Sequence, residues 1–185
     1  MRPCATWPRI WTYRRRDHYR NKAQHTDVGR PMEIGVLLYR NRGFIGTPIR
    51  WQTRSPYSHA SIDHFGLIYE SRASSGVVAR DWDERENTAD TYAVPITHTQ
   101  AVTMDEWLKR QLGKGYDFTM VMRFVTRTRE SRRSSGRWFC SELVFAAFQA
   151  AGVDLLANTE PWEVSPGLLA RSTLMRRVLI TPEKS

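Results

Sequence analysis

The chain has 185 residues, 41% of them apolar, with seven tryptophans and a net charge of +9. That suffices for one packed domain and is too apolar for a disordered chain. Two cysteines exclude a disulfide framework, and no run of about 18 apolar residues marks a membrane-spanning helix.

The charge is uneven. Residues 1–31 carry eight Lys/Arg against Asp17 and Asp27, or +6, which leaves 20 against 17, or +3, for the remainder. Trp7, Trp11, Tyr13 and Tyr19 are scattered through the first segment without an apolar period. It reads as a basic, disordered arm ahead of a domain covering 32–185. Phosphate neutralisation and stacking would let such an arm bind a polyanion weakly; a solvated extension is the simpler reading. Pro3, Pro8 and Arg14-Arg15-Arg16 leave no secretory apolar core. Both thiols read as reduced, so a cytoplasmic location and a monomer are expected.

Within the domain, 33–39 reads as a first strand, and 44–51 as a short helix with Ile45 and Ile49 on one face. Strands are expected near 58–62, 66–71 and 76–81, spaced as an antiparallel meander, and 91–96 adds an edge strand where Pro95 costs little. Thr103-Met104-Asp105-Glu106 has the form of a capping box for a helix over 107–112 that ends at Gly113. A second helix is expected from Asp117 to about Val125, then a polar loop over 127–137. The apolar run 143–151 stops at Gly152, a good C′ residue, and Ser165-Pro166 supplies an N-cap with proline at N1. A last strand is expected over 176–182.

Cys140 falls at the first turn of the helix that contains this apolar run. Unpaired N–H groups and the helix dipole converge there on the sulfur and favour its ionised form. The plain alternative is a small core hydrophobe. A thiolate nucleophile needs a cationic or basic partner, itself held by a polar group. His59 opens a strand far upstream, and the chain order is His, then a polar residue, then Cys. The five histidines lack zinc-type spacing, so neither a metal nor a cofactor is expected.

Four strings carry a family resemblance: Tyr57-Ser58-His59-Ala60, Ile68-Tyr69-Glu70-Ser71, Gly113-Lys114-Gly115-Tyr116-Asp117 and Trp138-Phe139-Cys140-Ser141-Glu142-Leu143-Val144. A fifth, weaker one is Val164-Ser165-Pro166-Gly167-Leu168-Leu169-Ala170. In that order the chain resembles circularly permuted members of the NlpC/P60 superfamily of papain-like cysteine hydrolases, the YiiX/YaeF-like group. The resemblance implies an α+β fold, with an antiparallel sheet packed on a buried helix that carries the nucleophile. It further implies Cys140 as nucleophile, His59 as base and Glu70 as the residue that orients His59, with Asp63 and Ser71 as substitutes. Tyr116 matches a tyrosine that borders the nucleophile and would assist an oxyanion. His64, five residues from His59, has the opposite strand parity and is set aside.

The implied activity is cleavage of an amide bond through an acyl-enzyme, with cell-wall peptides as one substrate class. Lipid acyl transfer or ester cleavage on a similar permuted core is the alternative, favoured by exposed apolar residues over 44–51. A non-catalytic nucleic-acid-binding module using the arm is a third. Because the arm has no apolar period, deleting residues 1–31 is expected to leave the melting temperature nearly unchanged while weakening salt-sensitive binding to polyanions. Calorimetry of the truncated chain checks this, and a large drop would place Trp7 or Trp11 in the core.

Overall fold

The computed structural model describes residues 32–40, 46–119 and 136–178. Eight strands, four α-helices and two 3₁₀ turns follow one another among them. They are β1 (Met32–Tyr39), α1 (Gly46–Thr53), β2 (His59–His64), β3 (Leu67–Arg72), β4 (Gly76–Asp81) and β5 (Asp90–Ile96). Then come α2 (His98–Gln111), β6 (Gly115–Tyr116), β7 (Arg137–Trp138), α3 (Cys140–Ala150), α4 (Pro166–Leu169) and β8 (Arg176–Val178). The 3₁₀ turns are Glu84–Thr88 and Pro161–Glu163. The class is α+β: six antiparallel strands in the order β4-β3-β2-β1-β5-β8, with α2 and α3 packed on the sheet.

β1 is the reason the sheet has two covered faces. Val36, Leu37 and Leu38 are all fully buried, so its apolar run is continuous rather than alternating. Val36 and Leu38 join Ala60, Ile62, Val144, Phe145 and Phe148 in the main core. Leu37 and Tyr39 point the other way and pack with Ile68. β2 and β3 meet at the two-residue turn Phe65-Gly66, both with positive φ (52° and 81°), the backbone of a type I′ hairpin. β3 and β4 are joined through Ala73-Ser74-Ser75, and Gly76 (φ 67°) takes the left-handed position that closes such a loop.

Three expected elements change. β5 is not an edge strand, because β8 pairs beyond it; β8 reaches only from Thr91 to Ala93, so Pro95 lies past its end and no ladder bond is lost. The helix expected over 107–112 begins nine residues earlier, at His98. Thr97 and Gln100 form the capping box that operates, and Thr103 donates to the Thr99 carbonyl inside the helix. Both tetrads fit the same T-x-x-E/Q pattern; Ala101, Met104 and Leu108, buried on one face, select the longer helix. Arg137, expected in a loop, instead pairs with Gly115 in a short parallel ladder. Of the helix expected from Asp117, only residues 117–119 lie within the described residues, and Phe118 is half exposed. The arm, Phe44, Ile45 and the stretch 120–135 lie outside them, and of the strand expected over 176–182 only 176–178 is described.

α3 is buried along Cys140–Phe148, as its largely apolar sequence demands. It ends in a Schellman motif: Gly152 (φ 72°) donates to Gln149 and Val153 donates to Phe148. Glycine is required more strictly at Gly76, where a Cβ would run into the Lys114 carbonyl, whereas at Gly66 nothing lies within 4 Å. Gly66→Ala should therefore cost only the left-handed penalty, about 1–2 kcal/mol. Gly76→Ala should cost a further 1–3 kcal/mol or so for the clash. Equal losses on urea unfolding of the two variants would refute the close approach of β4 and the Lys114 backbone.

Candidate functional site

Cys140 is the first residue of α3 and is 1% exposed. Four contacts hold the chain around it. The Ser71 hydroxyl donates to the Trp138 carbonyl at 2.7 Å, and the Trp138 indole donates to Gln111 at 3.2 Å. Glu142 accepts from the Phe139 N–H at 3.2 Å, and Ser141 donates to the Val164 carbonyl at 2.6 Å. Glu142 thus does the structural work of a first-turn carboxylate. Ser71, a substitute for the orienting residue in the sequence reading, instead ties β3 to the segment that runs into Cys140.

His59 is the first residue of β2, directly opposite Tyr39, with the two rings 5.3 Å apart. Its Nε2 lies 2.7 Å from Glu70 Oε2, and its other partner is the Cys140 sulfur. Burial works against a charged imidazole here. The Cys140 charge and hydrogen bond, then Glu70, outweigh it and raise His59 to about 9. Glu70 is 1% exposed. Burial alone would keep it protonated, yet the hydrogen bonds and charges of His59 and Arg80 lower it to about 2. The structure thus brings together three of the sequence-designated residues: Cys140, His59 and Glu70.

Behind Glu70 stands a network that the sequence reading missed. Arg80 Nε donates to Glu70 Oε1 at 2.6 Å, and its terminal nitrogens reach Glu86 and Asp83. Arg72 and Arg85 approach the same Glu70 oxygen at 3.8 and 3.6 Å. Glu86, fully buried, accepts from the Tyr39 hydroxyl at 2.9 Å, and that hydroxyl also meets Ser61 at 2.9 Å. Burial, with Glu86 and Glu70 nearby, keeps the Tyr39 phenol protonated. Two signals for this network were present in the chain. Asp83-Arg85-Glu86 spans an Asp-x-x-Glu capping box. Arg80 is the diagonal cross-strand neighbour of Glu70, two residues beyond Val78 in the β3–β4 register.

Tyr116 is buried, with its ring against Phe118 and Phe139. The parallel pairing with Trp138 sets it beside the strand that leads into Cys140. Burial first, then the Cys140 and Asp117 charges, raise its phenol. Asp63 faces Gly35 across the ladder, and burial pushes it up to about 7. His64 is fully buried elsewhere, between Phe65 and Tyr69, with Asp105 3.8 Å away and no hydrogen bond to either ring nitrogen. Burial lowers it to about 4, the Asp105 charge being too weak at that distance to reverse the effect.

No family model matches the chain, and no curated protein matches it. Among solved structures it is similar to the crystal structure of the metalloprotein yiiX from Escherichia coli O157:H7, DUF1105. The TM-score is 0.60 at 18% identity, covering 82% of this chain and 98% of that one. That is a likeness of fold. Among the described residues no group of three or more His, Cys, Asp or Glu stands where it could hold a metal ion. Nor is any helix among them long and apolar enough to cross a membrane.

The buried groups fix the pH response. Glu70, lowered in the fold, contributes stability above its ordinary 4.5 that is lost as pH falls towards about 2. His64 stays neutral in the fold while the unfolded chain takes up a proton below 6.5, so stability falls from 6.5 towards 4. Asp63 has the opposite sign, losing stability as pH rises from 3.8 to 7, and partly offsets His64. Replacing His64 by Leu removes one of these slopes. Between pH 7.5 and 4.5 the variant should gain roughly 2–3 kcal/mol relative to the parent chain. Denaturant midpoints at the two pH values read this, and parallel slopes would show that His64 titrates normally.

Proposed function

We propose that this chain is a cysteine hydrolase with a permuted papain-like site, cleaving an amide bond through an acyl-enzyme on Cys140. The observation that carries the reading is His59 held between the Cys140 sulfur and Glu70 Oε2, with Cys140 opening a buried helix. Glu70 engages Nε2 and leaves the other ring nitrogen for the sulfur. The resulting ion pair keeps the sulfur nucleophilic without a prior proton transfer.

The thiolate attacks the carbonyl carbon. The carbonyl oxygen gains charge, and in this reading the Cys140 N–H and the Tyr116 hydroxyl are the donors that receive it. Imidazolium His59 gives its proton to the departing amine, which leaves a thioester and a neutral imidazole. Water then attacks the thioester while His59 takes its proton, and the acid departs as the ion pair reforms. Peptide cross-links of a cell wall are one class that such chemistry serves.

A second reading, acyl transfer or ester cleavage on a lipid, draws support from Trp51, which is 76% exposed on α1 a few residues before His59. The yiiX structure is that of a metalloprotein. The described residues of this chain offer no group of donors for a metal ion, and both Glu70 oxygens are already engaged, so no step is routed through a metal.

Single-turnover acylation by an activated ester, with mass analysis of the Cys140 peptide, tests the reading. His59→Ala should slow acylation about 10²–10⁴-fold, the range of a positioned acid–base group. Glu70→Gln should cost less, because the amide can still hold the ring, and His64→Leu should leave the rate nearly intact. In the parent chain the rate should fall as pH rises through about 9, where His59 loses its proton. A label found on Cys4, or an equal loss for His64→Leu and His59→Ala, would refute the assignment.

A further inference from the structure

A cavity of about 590 Å³ opens beside α1, lined by Thr47, Arg50, Trp51, Arg54, Ser55 and Pro56. Its charge is uncompensated. Among the described residues no carboxylate pairs with Arg50 or Arg54, and the Arg50 Nε is buried with no hydrogen-bond partner. An unanswered buried N–H of a cation is costly, and a site that must bind an anion is one place where that cost is recovered. Trp51, 76% exposed on the same wall, is an aromatic face held out in water.

The cavity is also tied to both sides of the site. Its Ser55-Pro56 rim runs through Tyr57 and Ser58 into His59. Ser55 packs so closely on Gly167 of α4 that no Cβ fits there. The Val164 carbonyl, just before α4, takes the hydroxyl of Ser141, the neighbour of Cys140. Two forked guanidinium donors and one aromatic face suit a phosphate or carboxylate borne next to an apolar group.

We propose that the α1 cavity is an oxyanion-recognition subsite, which selects acyl substrates carrying a phosphate or carboxylate beside an apolar moiety. What the bound anion contributes, orientation of the acyl group towards Cys140, rests on the hydrolase reading; the binding itself does not.

The test is therefore equilibrium binding to the full-length Cys140→Ala chain, with phenyl phosphate, phenylacetate and benzyl alcohol as probes. Both anions should bind, benzyl alcohol should bind at least about tenfold more weakly, and added salt should weaken the anions. The double variant Arg50→Gln/Arg54→Gln should lose at least about tenfold of anion affinity, with the fold checked by circular dichroism. The tighter anion identifies the substrate head as phosphate or carboxylate. Absence of anion binding overturns the proposal, as does binding that survives the double variant, which would belong to other cations such as those of residues 1–31. Arginine-dependent binding to the Cys140→Ala chain, together with no acylation of the parent chain by an activated ester, would sink the hydrolase reading and leave the subsite standing.

Discussion

The site depends on a buried carboxylate that must stay ionised. Glu70 has 1% of its surface in water, a setting that ordinarily protonates a carboxyl group. Two cations prevent this from opposite sides, His59 on one oxygen and Arg80 on the other. Arg80 in turn needs the second buried carboxylate, Glu86, which holds Tyr39, whose ring rests on His59. The charges therefore alternate from imidazole to Glu70 to Arg80 to Glu86. Each group is tolerable in the interior only because its neighbours are present. Buried pairs of this kind add little net stability but penalise any arrangement that separates them. Here they lock the register of β2, β3 and β4 at the end where His59 sits.

Cys140 is positioned by different means. α3 is apolar on nearly every side and finds its place by burial, which fixes a helix against the sheet but not its rotation to within a fraction of a turn. Polar contacts on the flanks supply that precision. Ser71, Gln111 and Glu142 hold the two residues before Cys140, and the Val164 carbonyl holds the residue after it. The sulfur thus lies between a region ordered by charge, on the sheet, and one ordered by packing, in the helix.

The same division explains what could be read from the chain. The apolar run of α3, its Gly152 stop and the alternation of β2 are local patterns, and the strands and the Cys helix followed from them. The segment from His98 to Gln111 was harder, because two overlapping capping tetrads compete and only the buried face of Ala101, Met104 and Leu108 decides between them. β5 looked like an edge because of Pro95; nothing local announces that three residues from the far end of the chain, Arg176–Val178, will pair outside it. Arg80 and Glu86 were missed for a related reason. A surface arginine and a half-buried one look alike in sequence, and only the β3–β4 register puts Arg80 diagonally across from Glu70.

The likeness to the yiiX structure settles the fold and stops there, since 18% identity leaves most side chains different. What this chain's site can hold depends on its own donors, and Glu70 is the informative one. A carboxylate available to a metal ion keeps an oxygen free for it. Here one oxygen accepts from an imidazole and the other from a guanidinium, with two more arginines within 4 Å of the latter. A dication brought into that cluster would meet three positive charges before it met a lone pair. The same crowding suits a group whose task is to stabilise an imidazolium, because a carboxylate held ionised down to about pH 2 cannot take the proton from His59. The proton remains on the imidazole.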